Sequence, residues 1–113
     1  MHEMSLAQSI VELAEEHALR EGFACVRTIR VAVGQLSNVD PRALSFGFDV
    51  AARGTAAEGA ALVVDRPPGL ATCIDCAREV AIASRADGCP LCGGHHWVVV
   101  GGEELRVVEL EVE

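Results

Sequence analysis

Residues 73–92, which read C-I-D-C, twelve intervening residues and C-P-L-C, decide the fold of this chain. Two Cys-x-x-Cys pairs at this separation are typical of one tetrahedral zinc site, because each pair forms a tight turn that directs two sulfur atoms to one point. Four thiolates leave no open position for water or substrate, so the zinc ion is predicted to be structural. The predicted zinc ligands are Cys73, Cys76, Cys89 and Cys92.

Three other uses of these cysteines agree less well with the sequence. A redox dithiol is usually a single Cys-x-x-Cys on a βαβ unit, and an iron–sulfur cluster usually has other spacings. A pair of disulfides would need an oxidising compartment, whereas residues 1–25 carry Glu3 and Glu12 and lack the apolar core of a signal peptide. The sequence therefore predicts a cytoplasmic protein. The fifth cysteine, Cys25, opens an apolar run and is predicted to be a small buried side chain.

Length and charge limit the classes of function. A chain of 113 residues suffices for one modest domain, or for one domain with a metal-stabilised module. Half of the residues are apolar, which argues against disorder, and no apolar run is long enough to span a membrane. The net charge is −8, and the nine basic residues are all arginines scattered along the chain. Because a phosphate-binding face needs clustered basic residues, a nucleic-acid partner is not expected.

Outside the cysteines, the pattern predicts two helices and three strands. Ser5 with Gln8 forms a capping-box pattern, and apolar residues then recur at intervals of three and four. Asp40-Pro41 is a typical helix start, with aspartate as N-cap and proline at the first helical position. These elements indicate an α+β fold with two helices on a small three-stranded mixed sheet. The predicted helices are 5–20 and about 41–53, and the predicted strands are 26–33, 60–65 and 104–112.

Two breaks in the chain suggest a division into domains. Pro67-Pro68-Gly69 interrupts the chain before the cysteines, and Gly101-Gly102 reads as a flexible join after them. Residues 70–100 are thus predicted to be an inserted four-cysteine zinc-ribbon domain, in which metal binding supplies much of the folding free energy. Residues 1–69 and 101–113 are predicted to form the α/β domain.

The N-terminus, Met1-His2-Glu3, offers a second set of metal donors. A free α-amine, the backbone nitrogen of residue 2 and the His2 imidazole can close fused chelate rings around one metal ion, with Glu3 as a fourth donor. Nitrogen donors in a plane suit Ni²⁺ or Cu²⁺ better than Zn²⁺. A histidine at position 2 also occurs by chance, so the pattern by itself is a weak signal.

Four blocks of sequence, taken in order, resemble the HypA/HybF family of nickel chaperones for [NiFe]-hydrogenase maturation. They are M-H-E-M-S-L-A-Q-S-I at the start, V-G-Q-L-S-N-V-D-P at 33–41, the two cysteine pairs, and G-E-E-L-R-V-V-E-L-E-V at 102–112. The resemblance therefore covers the whole chain. It implies a nickel-binding α/β domain and a separate structural zinc domain.

The resemblance also implies roles for individual residues. His2 would be the nickel ligand, with Glu3 and the α-amine of Met1 contributing. Asp40 lies in the matching V-D-P segment, where it would either approach the nickel ion or serve only as the helix cap. The four paired cysteines would hold zinc.

The family's activity and partners are likewise implied by the resemblance. The family is not enzymatic: it passes Ni²⁺ to the [NiFe]-hydrogenase large subunit, works with a HypB-type GTPase, and in some organisms also serves urease maturation. The competing interpretation is a zinc-ribbon interaction or assembly module without a nickel role. A third class, a thiol oxidoreductase, would require reactive cysteines.

Two local features depart from the family pattern or stay open. Ala77 stands where glycine commonly follows the second cysteine, which leaves the packing of the ribbon unsettled. His95 and His96 follow the last cysteine closely. They are interpreted as a solvated turn before the Trp97 strand, and the alternative is a second resting place for nickel or a hydrogen-bonding role beside zinc.

Overall fold

The computed structural model describes residues 2–113, which form two helices and two small sheets of three strands each. The strand orders are β2-β1-β6 and β4-β3-β5, and the second sheet carries the cysteines. This arrangement confirms the predicted α+β class with a zinc-ribbon insert. The elements are α1 (His2–Glu21), β1 (Val26–Val33), α2 (Pro41–Ala51), β2 (Ala61–Asp65), β3 (Gly69–Cys73), β4 (Glu79–Ile82), β5 (Trp97–Gly101) and β6 (Leu105–Val112).

Helix α1 begins earlier than the sequence predicted. The capping-box pattern placed its start at Ser5, but the helix already includes His2. Ser5 therefore lies inside the helix, where its carbonyl oxygen accepts a hydrogen bond from the Ser9 hydroxyl at 3.0 Å. Glu3 in the first turn favours the longer helix, because a carboxylate stabilises the positive end of the helix dipole. At the other end of α1, Gly22 has a φ of 78°, the left-handed conformation that commonly ends a helix.

Helix α2 starts where the sequence predicted. Asp40 is the N-cap, and its side chain accepts a hydrogen bond from the backbone N–H of Arg42. The buried face of α2 includes Leu44, Gly47 and Phe48. Since Gly47 has no side chain, another helix can approach α2 closely at this position.

The first sheet places β1 between two edge strands. On one face, Thr28 contacts Glu111 and Arg30 contacts Glu109, so residue numbers rise on β1 while they fall on β6, and the two strands are antiparallel. On its other face β6 is only partly covered. Val108 and Val112 remain 45% and 40% exposed, although they alternate with glutamates as in a strand with one buried face.

The chain divides into two compact units. One contains the residues up to Val31, Val39–Val64 and Arg106–Glu113, and the other contains Ala32–Asn38 and Asp65–Leu105. The predicted insertion, residues 70–100, falls within the second unit, which also contains a segment from after β1 and both flanking joins.

Three glycines make a close backbone crossing inside the second unit. The Gly34 N–H donates to the Glu104 carbonyl at 2.8 Å, and the Leu36 N–H donates to the Gly102 carbonyl at 2.7 Å. A Cβ on Gly34 would meet the Gly102 carbonyl group, and a Cβ on Gly102 would lie 2.6 Å from the Gly69 Cα. The Gly101-Gly102 pair is thus hydrogen-bonded and closely packed, which differs from the flexible join that its sequence predicted.

Within residues 2–113, neither the length nor the apolar content of any helix suffices for it to cross a membrane.

Candidate metal centres

The four paired cysteines come together at the end of the second sheet. Their sulfur atoms all lie within 4.8 Å of one another. The Sγ atoms of Cys73 and Cys92 are 3.6 Å apart, and those of Cys76 and Cys89 are 3.8 Å apart. A tetrahedral zinc ion with Zn–S bonds of about 2.3 Å places its sulfur ligands about 3.8 Å apart. The donor set and its spacing therefore fit one zinc ion with four thiolate ligands.

The two cysteine loops share one backbone hydrogen-bonding pattern. The Cys73 carbonyl accepts from the Ala77 N–H at 2.7 Å, and the Cys89 carbonyl accepts from the Gly93 N–H at 2.8 Å. These bonds turn each loop so that both of its sulfur atoms face the same point. A second pair of bonds also matches, from the Cys73 N–H to Arg78 and from the Cys89 N–H to Gly94.

The residue that closes each loop has a left-handed backbone. Ala77 has a φ of 60° and Gly93 has a φ of 78°. Glycine adopts this conformation without steric cost, whereas an L-residue loses about 1 kcal/mol there. The structure thus explains why glycine is favoured at position 77, and it shows that alanine forms the same turn at a cost in stability.

The thiols influence one another strongly in the absence of a positive charge. Burial raises the pKa of Cys89, but N–H groups of Leu91 and Cys92 and the neighbouring thiols lower it, so that the pKa is about 7. For Cys92, the Gly94 N–H lowers the pKa, but burial and the other three thiols raise it to about 12. The Cys89 thiol therefore loses its proton readily, and the resulting negative charge opposes the ionisation of the next thiol. A divalent cation removes this opposition, which is why metal binding and deprotonation occur together.

The cage rests directly on the small core of the second unit. Cys73 and Cys89 are buried in one cluster with apolar residues from the loop after β1 and from β3 and β4. The Trp97 ring packs against this cluster, and its Nε1–H donates to the Asp87 carbonyl at 3.1 Å. Because the site is closed by four sulfurs and embedded in a core, its arrangement suits a structural ion. The apolar members of the cluster are Leu36, Ala71, Val80 and Ile82.

The two histidines after the cysteines are not part of the sulfur cluster. His96 Nδ1 lies 2.9 and 3.1 Å from the two carboxylate oxygens of Asp75. His96 is well exposed, and His95 lies beside Gly88. Among residues 2–113, the four cysteines are the group of three or more possible side-chain ligands whose donor atoms come close enough together to hold one metal ion.

The residues predicted to bind nickel lie at the start of α1, except that Met1 is outside the described residues. His2 Nε2 is 3.3 Å from a carboxylate oxygen of Glu3. The His2 side chain is 59% exposed and the Glu3 side chain 19% exposed, so the pair is open to solvent on the imidazole side. The same Glu3 oxygen accepts a hydrogen bond from the backbone N–H of Asp40 at 3.1 Å. The structure thus brings His2, Glu3 and the backbone of Asp40 together.

Asp40 uses its side chain to cap α2. Its Oδ1 accepts from the Arg42 N–H at 2.9 Å. In a capping box, an acidic residue at the third helical position accepts the N–H of the N-cap residue, but here that position is Ala43. Glu3 of α1 takes over this role. The absence of an acid at position 43 was the sequence signal for an external acceptor, although it did not identify Glu3.

The hydrogen bonds also keep Glu3 ionised. The Asp40 N–H lowers the pKa of the Glu3 carboxyl most strongly, and the backbone N–H of Glu3 itself adds to the effect. Partial burial opposes this shift, and the neighbouring His2 supports it. A carboxylate fixed beside an exposed imidazole provides one oxygen and one nitrogen donor for a cation.

The chain is similar to known proteins along its whole length. A protein-family model described as "Hydrogenase/urease nickel incorporation, metallochaperone, hypA" matches residues 1–112. The chain is 49% identical to a hydrogenase maturation factor HypA of Cereibacter sphaeroides and 48% identical to one of Alkalilimnicola ehrlichii. Each of these matches covers 100% of both chains.

Solved structures show the same fold. The solution structure of the Ni metallochaperone HypA from Helicobacter pylori matches with a TM-score of 0.67 and 22% identity, over 97% of this chain and 96% of that one. A second solution structure, of a HypA protein, matches with a TM-score of 0.73 and 24% identity, over 100% of this chain and 97% of that one. With a family match along nearly its whole length and a four-cysteine cage suited to zinc, the chain belongs to the HypA family of nickel-incorporating metallochaperones.

Proposed function

We propose that this protein binds Ni²⁺ at its N-terminus and delivers it to the [NiFe]-hydrogenase large subunit, while zinc in the four-cysteine cage is structural. The contact between His2 and Glu3 is the observation on which the proposal depends. In this proposal the nickel ligands are the His2 imidazole and backbone nitrogen, the Met1 α-amine and the Glu3 carboxylate. Asp40 contributes through its N–H, since its carboxylate caps α2.

The position of His2 supports its use as a chelating residue. The first four N–H groups of a helix have no acceptor within the helix, so the His2 backbone nitrogen is not needed for the hydrogen bonds of α1. The imidazole is also largely exposed. Nitrogen donors of this kind suit Ni²⁺.

The surroundings of the site support transient rather than permanent binding. His2 lies at the N-terminus of α1, and the Glu3–Asp40 bond places the N-terminus of α2 beside it. Both helix ends carry partial positive charge, which opposes a cation, while the Glu3 and Asp40 carboxylates offset it. We therefore expect nickel to exchange readily at this site, as delivery by ligand exchange requires.

Partners and location complete the proposal. We propose that a HypB-type GTPase acts with this chain, that urease maturation proteins are further recipients, and that the chain catalyses no reaction of its own. A cytoplasmic location is proposed because a four-thiolate zinc site needs reduced cysteines, which a cytoplasm maintains. The family description, which names both hydrogenase and urease, supports the choice of recipients.

Nickel titration of untagged, zinc-loaded protein tests the proposal. Calorimetry and metal analysis should show one tightly held zinc and one exchangeable nickel per chain. His2→Ala should abolish this nickel site, whereas His17→Ala, which removes another histidine of α1, should leave it unchanged. A chain extended by residues before Met1 should lose the native nickel geometry. Undiminished nickel binding in His2→Ala would refute the N-terminal site and favour the interaction-module interpretation.

A further inference from the structure

The N-terminal end of α2 adjoins the candidate nickel residues. Glu3 accepts the Asp40 N–H at the start of α2. About two turns further on, Gly47 faces α1, because a Cβ on it would lie 3.5 Å from both Met4 Sδ and Ala7 Cβ. The inner side of α2 is therefore covered by α1, the outer side faces away from it, and the N-terminal end of α2 lies beside Glu3.

The outer side carries a row of three side chains at four-residue spacing, Arg42, Phe46 and Val50, which we term the α2 row. Phe46 is 71% exposed, whereas Phe48, two residues later, is 1% exposed. The Arg42 guanidinium forms no ion pair with any residue in the described part of the chain. An exposed phenylalanine beside an unpaired arginine combines two residue types that are enriched in protein interfaces.

We infer that the α2 row is the docking surface for the protein that accepts nickel. This inference rests on the proposed function. Ligand exchange requires donor atoms of the acceptor to reach a nickel ion at His2, so the acceptor must cover the surface around His2. A standard interface takes about 800 Å² from each partner, which corresponds to a disc about 16 Å in radius. Phe46 lies six residues beyond Asp40, or about 9 Å along the helix axis, and so falls within this disc.

The α2 row also defines the chemistry of the acceptor surface. The Phe46 ring requires an apolar pocket, and Arg42 requires a carboxylate at the edge of that pocket. Asp49 lies on the same side of α2, one turn beyond Phe46, so Arg42 at the opposite end of the α2 row is the group that selects for a partner carboxylate. The occupant is thus a protein with an acidic rim around an apolar pocket, close to its own nickel-binding groups.

Complex formation and nickel transfer test the docking surface. Untagged, nickel-loaded protein is mixed with the metal-free hydrogenase large-subunit precursor, and binding and transfer are measured for the wild type, Phe46→Ala and Arg42→Glu. The matched control is Leu19→Ala, because Leu19 is 87% exposed on α1 and lies outside the α2 row. Nickel titration, zinc content and thermal unfolding of each variant show whether the metal sites and fold are intact.

We expect Phe46→Ala to weaken the complex about tenfold or more and to slow transfer, with unchanged nickel affinity. Arg42→Glu should lower the association rate, with a smaller effect at high salt. Transfer by Phe46→Ala at the rate of the wild type and of Leu19→Ala would overturn the inference. The inference would also be overturned if the wild type were a dimer that Phe46→Ala separates into monomers. The same holds if Phe46→Ala lost binding to the GTPase but kept binding to the large-subunit precursor. Failure of the wild type to bind nickel would instead refute the proposed function and this inference together.

Discussion

Replacing Gly34 with alanine isolates the contribution of the close glycine crossing to stability. A Cβ at this position would lie far inside 3.0 Å of the Gly102 carbonyl carbon and oxygen, a separation that real Cβ atoms essentially never show. Gly34 is not among the glycines with positive φ, so alanine is compatible with its backbone conformation. The cost is therefore steric, and the two segments have to separate by more than about 1 Å to restore ordinary contact.

The expected loss follows from the bonds that join these segments. Separation stretches the Gly34-to-Glu104 and Leu36-to-Gly102 hydrogen bonds, which contribute about 1 kcal/mol each. Residual overpacking adds about 1–3 kcal/mol. Gly34→Ala should thus cost about 3–5 kcal/mol. Gly54→Ala is the matched control, because Gly54 has a φ of 76° and open space around it, and should cost about 1 kcal/mol.

Thermal and denaturant unfolding of zinc-loaded protein measure this difference. For a domain of this size, 1 kcal/mol shifts Tm by about 4 °C, so Gly34→Ala should unfold at least about 12 °C below the wild type. Gly54→Ala should unfold only about 4 °C below it. If Gly34→Ala were as stable as Gly54→Ala, the close crossing would not be a constraint on the fold, and the reasoning would be wrong.

Three further outcomes are expected. Ala77→Gly should stabilise the zinc-loaded protein by about 0.5 kcal/mol, because relief of the left-handed strain exceeds the added entropy of the unfolded chain. Gly93→Ala, at the matching position, should destabilise it by about 1 kcal/mol. Chemical unfolding measures both changes. Zinc chelation should shift the fluorescence of Trp97, the single tryptophan, to longer wavelength. It should also make the paired cysteines reactive toward alkylation. An unchanged tryptophan signal after chelation would contradict a metal-dependent core. The pKa of Glu3 is lowered from its ordinary 4.5, so the ionised Glu3 should stabilise the protein above pH 4.5. This stabilisation should be lost as the pH falls through the lowered pKa. The stability difference between the wild type and Glu3→Gln should therefore vanish in acid.

Local sequence signals predicted the parts of the structure that depend on neighbouring residues. The spacing of the cysteines determined the zinc cage, since each loop is closed by bonds within five residues. Asp40-Pro41 determined the start of α2 for the same reason. The strand predicted at 26–33 is β1 itself, because its alternation directs Ile29 and Val31 into the core.

Contacts between distant residues were beyond the reach of the sequence. The Glu3–Asp40 bond joins residues on different helices, and no local pattern pairs them. The glycine crossing likewise depends on the path of three separate segments, and a Gly-Gly pair reads as a flexible join until its neighbours are known. The start of α1 was predicted too late because the capping-box pattern at Ser5 ignored the carboxylate that precedes it.

The matching hydrogen bonds of the two cysteine loops have a consequence for how this protein can evolve. The loops share only their cysteines in sequence, yet they reach one backbone shape, so the residues between the cysteines are not needed to specify it. Ile74 and Leu91, one from each loop, are 61% and 56% exposed. Substitutions at these positions can alter the surface beside the metal cage without disturbing the cage. Mutational tolerance is thus concentrated next to the least tolerant residues of the chain, and a lineage can acquire new contacts there while zinc keeps the scaffold intact.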